Sequence, residues 1–154
     1  MTTSPLTVDG QEQEVALAET QAVLAAARDG AYRDRLAALA ASLQEGEVDA
    51  ADELAELDTL IALGLQTGRI RALYGPGCEQ AALRLHRRLP TGAELLAGAR
   101  AVSEALASLR GRELEAVSIH SAGPGAFTLT LRAGGADLTV RLDRQGARLA
   151  SVGA

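Results

Sequence analysis

The chain has no lysine, no asparagine and no tryptophan, and its 154 residues include one cysteine and three aromatics, Tyr32, Tyr74 and Phe127. A lone cysteine, Cys78, excludes an intrachain disulfide framework and a cysteine-built zinc site. With 2% aromatics but 47% hydrophobic residues, a real core is available, and it must be built from Leu, Val and Ala. No run of about 18 apolar residues exists, so no membrane span is expected. Met1 to Gly10 lacks the basic and apolar regions of a standard secretion signal, which makes the cytoplasm the expected location. All 15 basic residues are Arg, a bias that fits GC-rich codons. The use of Arg is therefore no argument for bidentate phosphate recognition.

What the chain does have is charge of two signs in two places. Residues 1–66 hold 13 Asp/Glu and 3 Arg, a net of −10, and residues 67–154 hold 7 Asp/Glu and 12 Arg, a net of +5. The overall −5 hides this opposition. Such halves attract each other, within one chain or between two, and a basic surface attracts anions.

Residues 1–10 read as a disordered tail. Residues 11–67 read as an acidic helical hairpin or bundle, and 68–154 as a basic α+β part forming one globular unit with it. Gln11 to Arg28 is Ala-rich and free of Gly and Pro, as a helix requires. Asp29-Gly30 stops it. A second helix follows with Tyr32, Leu36, Leu39 and Leu43 as a narrow apolar seam. Gln44 to Val48 reads as a loop. Asp49 and Asp52 favour the start of a third helix, striped by Leu54, Leu57, Ile61 and Leu65. Pro76 fits the first turn of a fourth, running to about Leu89. Thr91 and Glu94 form a capping-box pattern for a fifth, with Leu95, Ala99, Val102, Leu106 and Leu109 as its face.

The period then changes to two. Val117 and Ile119, then Phe127, Leu129 and Leu131, then Leu138, Val140 and Leu142 alternate with polar residues, and Arg148 to Val152 closes the chain. This predicts a four-stranded antiparallel meander, apolar on one face and polar on the other. A two-residue Gly134-Gly135 turn sets the middle register. It pairs Leu131 with Leu138, Leu129 with Val140, Phe127 with Leu142, Arg132 with Asp137, Thr130 with Thr139 and Thr128 with Arg141. The fifth helix has the length to cover the apolar face. The expected fold class is α+β: about five helices, then the meander packed on the last of them.

Three places invite a function. The first is a Gly-rich turn into a helix start, where free N–H groups meet anions. Its candidate anion-binding residues are Arg69, Arg71, Gly75, Gly77, Cys78, Arg84 and Arg88. It matches neither the P-loop nor the dinucleotide fingerprint, and Glu79 already fills the favourable place for a negative charge. The second is the acidic third helix. There Glu53-x-x-Glu56 resembles half of the paired acidic motif of the all-α nucleotide pyrophosphatases. The other half is missing, because Glu79, Glu94 and Glu104 stand alone. A solvated face is the expectation, with no metal site. The third is the polar sheet face, an interaction face of His120, Thr128, Thr130, Thr139 and Arg141. It lacks the aromatics on which RNA-binding sheets stack bases.

Cys78 has no base in reach, since His86 lies eight residues along the same helix, about 12 Å away at ~1.5 Å per residue. No catalytic set and no cofactor motif emerges. The expected function is a non-catalytic interaction module, adaptor- or chaperone-like, acting as a homodimer through its helical seams and opposed charges. A DNA- or polyanion-associated protein and a Mg-dependent enzyme on phosphorylated or nucleotide substrates are the alternatives. A protein partner fits better than nucleic acid, which the acidic half opposes.

Overall fold

The computed structural model describes residues 4–153. Within them the order is β1 (Leu6–Thr7), α1 (Gly10–Ala26), α2 (Gly30–Glu45), β2 (Glu47–Val48), α3 (Ala51–Gln66), α4 (Arg69–Arg88), α5 (Pro90–Ala107), β3 (Leu114–Gly123), β4 (Ala126–Ala133), β5 (Ala136–Asp143) and β6 (Gly146–Gly153). The class is α+β, five helices followed by a four-stranded antiparallel sheet. The chain divides into two compact units between Ala93 and Glu94. The charge boundary at residue 67 is thus not where packing divides. α4 packs on α1 and α3 in the first unit.

The helical unit closes around Leu36, Leu39, Leu43, Leu57, Ile61, Ile70 and Leu85, all fully buried. The seam read on α2 is therefore consumed inside its own bundle. Each such side chain contributes roughly 1.5–3 kcal/mol by leaving water. Both ends of α2 are tied by side chains, one local and one from α1. The Asp29 carboxylate accepts from the Tyr32 N–H at 2.8 Å and starts α2. Gly46, at φ 82°, ends α2, and Gln13 Nε2 donates to the Leu43 carbonyl there at 2.7 Å.

Residues 4–10 are not the expected disordered tail. Leu6–Thr7 pairs with Glu47–Val48, where a loop was expected, and Val8 and Val48 are buried in the helical core. Residues 1–3 lie outside the described residues. α4 is two helical segments, 69–74 and 76–88, broken at Gly75 with φ 87° and ψ 175°. Pro76 opens the second segment, where its missing N–H costs nothing. α5 begins at Pro90 without the expected capping box. The Thr91 N–H and hydroxyl both donate to Oδ2 of Asp58 on α3, at 2.9 and 2.7 Å.

The sheet runs β3-β4-β5-β6, joined by two-residue turns at 124–125, 134–135 and 144–145. The β4–β5 register matches the sequence pairing at all six positions. Gly134 and Gly135 both have positive φ, 56° and 79°, as a primed turn requires. α5 meets this sheet on a stripe of Leu95, Gly98, Val102 and Ala105, with Leu109 just beyond it, while Ala99 and Leu106 face solvent. Small residues replace them at the contact because the approach is close. A Cβ on Gly98 would stand 2.6 Å from the Ala147 carbonyl oxygen.

Coverage of the apolar face is also incomplete. Leu138 and Val140 are buried, but Val117 is 52% exposed, Ile119 60% and Phe127 44%. A helix about 10 Å across spans roughly two strands at ~4.8 Å spacing, and this sheet has four.

Candidate functional site

The arginines of the Gly-rich turn do not converge. Arg69 Nη2 meets Oε2 of the fully buried Glu19 at 2.5 Å. Arg84 and Arg88 both reach Glu12, Arg84 at 3.7 Å, and Arg88 also donates to the Thr7 carbonyl. Glu12 and Glu19 stand seven residues apart on α1, about 10 Å at ~1.5 Å per residue. The candidate set is thereby split between two acidic anchors. Arg71 meets Glu79, in the first turn after Gly75, at 3.2 Å. Gly75 and Gly77 shape the break itself, and Cys78 packs against the helical core. Acids of α1 thus neutralise arginines of α4 within one chain.

The Glu19–Arg69 bridge passes over Gly64, where a Cβ would stand 2.8 Å from Ile70 and 2.9 Å from Glu19 Oε2. Beside it, burial pushes the Tyr74 hydroxyl pKa up, and the Glu19 carboxylate pushes it further. Glu19 went unnoticed in the sequence, and Asp58, one of the acids of the third helix read as a solvated face, is instead buried and bonded to Thr91. The signal for Glu19 was present: it shares a helical face with Val15 and Ala16, both buried.

On the acidic third helix, Asp52, Glu53 and Glu56 line a cavity of about 280 Å³ with Asp34 and Arg35 of α2. Glu56 accepts from the Tyr32 hydroxyl at 2.9 Å. Burial, then this bond, raises the Tyr32 pKa. Among the described residues no three His, Cys, Asp or Glu are grouped to hold a metal ion.

On the sheet, His120, Thr128 and Arg141 form one cross-strand row, and Ser118, Thr130, Thr139 and Ser151 the next. The structure therefore places His120, Thr128, Thr130, Thr139 and Arg141 on one face of the sheet. Its charges are largely spent within the sheet. Arg141 and Arg148 share Asp143 Oδ2, at 3.2 and 2.6 Å, and Arg132 meets Asp137 at 2.7 Å. Seven of the twelve arginines after residue 66 are so paired: Arg69, Arg71, Arg84, Arg88, Arg132, Arg141 and Arg148.

The Gln145 N–H, with Arg148 and Arg141, holds the Asp143 carboxyl below the usual Asp range, and Arg132 does the same for Asp137. A carboxylate with a depressed folded pKa binds fewer protons folded than unfolded. Its stabilising contribution is complete above the ordinary Asp value and fades as pH falls through the depressed one. The sheet is accordingly expected to weaken below about pH 4. An NMR titration of Asp143 checks this: a midpoint below the usual Asp value is expected, and one at or above it would refute the assignment.

The opposite face is apolar as expected, but the fifth helix does not cover all of it. Leu114, Val117 and Ile119 on β3 and Phe127 on β4 form an exposed apolar strip along the β3 side of the sheet. No helix of the described residues is long and apolar enough to cross a membrane. Set against protein-family models, curated proteins and solved structures, the chain matches none of them.

Proposed function

We propose that the protein is a non-catalytic interaction module, adaptor- or chaperone-like, that works as a homodimer. The observation that carries this is the apolar strip of Val117, Ile119 and Phe127, left in water by a helix that buries Leu138 and Val140 of the same face. Contiguous exposed apolar surface beside polar residues marks protein-interaction sites. Support comes from the sheet, not from the helical seams, because Leu36, Leu39 and Leu43 are buried in their own bundle. Opposed charges between copies carry less of the argument, since Glu12 and Glu19 find their arginines in the same chain.

The test is size-exclusion chromatography with light scattering at low and at high salt. A dimer at both salts is expected, because apolar contact is not screened by ions. A monomer at both would end the proposal.

A further inference from the structure

The sheet has two open strands, β3 and β6. An open strand presents unpaired N–H and C=O groups, which proteins guard with charge, proline or bulges. β6 is guarded at its middle by Arg148 and by an irregular ladder to β5 between Thr139 and Val140, which confine its uncharged stretch to Leu149–Gly153, where Val152 is 63% exposed. β3 is not. From Ala116 to Ala122 it has no Asp, Glu, Arg or Pro, and its irregularities lie near its two ends.

The direction of its free groups follows from the register. Ala133 and Ala136 flank the two-residue turn as a hydrogen-bonded pair, and bonded pairs then alternate along the ladder. Leu129 and Leu131 therefore bond toward β5, while Thr128, Thr130 and Arg132 bond toward β3. Their β3 partners are His120, Ser118 and Ala116. Val117 and Ile119 are left directing their N–H and C=O groups out of the open edge, with exposed side chains on the apolar face.

We propose that β3 pairs antiparallel with β3 of a second copy, about a two-fold axis through Ser118. This rests on the homodimer proposed above and gives it a seam. In this register Val117 faces the second copy's Ile119, and Ile119 the second copy's Val117, each pair exchanging two N–H···O bonds. Ala116 faces His120, and Glu115 faces Ser121, so no like charges meet. Sliding by one residue sets apolar against polar side chains. Sliding by two sets Val117 against Ser121 or Ile119 against Glu115. A two-fold contact needs a self-complementary patch, and this strand is one. A foreign strand would have to reproduce its pattern.

The axis dictates the test. Ser118 and its copy form a non-bonded antiparallel pair, about 4.5 Å between Cα atoms. That lies inside the roughly 4.4–6.8 Å a disulfide spans. In a Cys78→Ala background, Ser118→Cys is expected to oxidise to a covalent dimer on a non-reducing gel, while Thr130→Cys, one strand inward, stays at monomer mass. Ile119→Arg is expected to abolish the dimer in light scattering with an unchanged circular dichroism spectrum. A wild-type dimer with no Ser118→Cys cross-link and a dimeric Ile119→Arg would overturn the β3 seam and leave the homodimer standing. A wild-type monomer would overturn both.

Discussion

Gly92→Ala is expected to cost about 3 kcal/mol or more, at the upper end for overpacking a buried site. A Cβ at this position would stand 1.8 Å from the carbonyl oxygen of His86 and 2.5 Å from its carbonyl carbon. Those atoms are backbone at the end of α4, so no rotamer change relieves the clash. Gly92 is buried in the first turn of α5, one residue after Thr91, which is fixed by both its N–H and its hydroxyl to Asp58. Relief by moving the turn would therefore break the Asp58 contacts as well. Thermal and denaturant unfolding of the full chain measure the loss, and a variant within about 0.5 kcal/mol of wild type, the range of an ordinary surface change, would contradict this packing.

Arg69→Met is expected to cost about 3 kcal/mol, because it strands the Glu19 carboxylate without a countercharge. The value sits at the low end for buried pairs since Arg69 is itself 37% exposed while Glu19 is fully buried. The asymmetry makes the test sharp. Glu19→Leu leaves only a guanidinium that water can reach, and so costs less. With both substitutions the buried charge is gone, and most of the loss from Arg69→Met should be recovered. A double-mutant cycle reads the coupling directly. Additive costs would show that the bridge contributes nothing of its own.

The parts of the fold legible in the sequence are those fixed by neighbours in the chain. Leu129, Leu131, Leu138 and Val140 alternate around a Gly-Gly turn, so pattern and turn geometry specify one register. The α2 seam was legible for the same reason, at period 3.6. What escaped depends on distant residues. The anchoring of the N-terminal segment needs Val8 and Val48 to meet in one core. The start of α5 needs Asp58, 33 positions away, and local reasoning assigned it to Glu94 instead. The stripe of α5 was drawn through Ala99 and Leu106 because size was equated with burial. The contact selected Gly98 and Ala105, which permit close approach. For the candidate sites, residue types were visible but pairing was not. Nothing in the order of residues reveals that Glu12 and Glu19 claim Arg69, Arg84 and Arg88 of α4.

Every strand of the sheet is bonded only to its neighbours in sequence, through turns of two residues. Each ladder can begin forming after a minimal loop closes, so little chain entropy is lost before bonding repays it. That order governs time more than energy. The middle hairpin can zip first from Gly134-Gly135, and β3 and β6 then add on either side. β3 is therefore a late-arriving strand with one neighbour, and its outward amides, those of Val117 and Ile119, should be among the first of the sheet to exchange with solvent whenever its outer side is open.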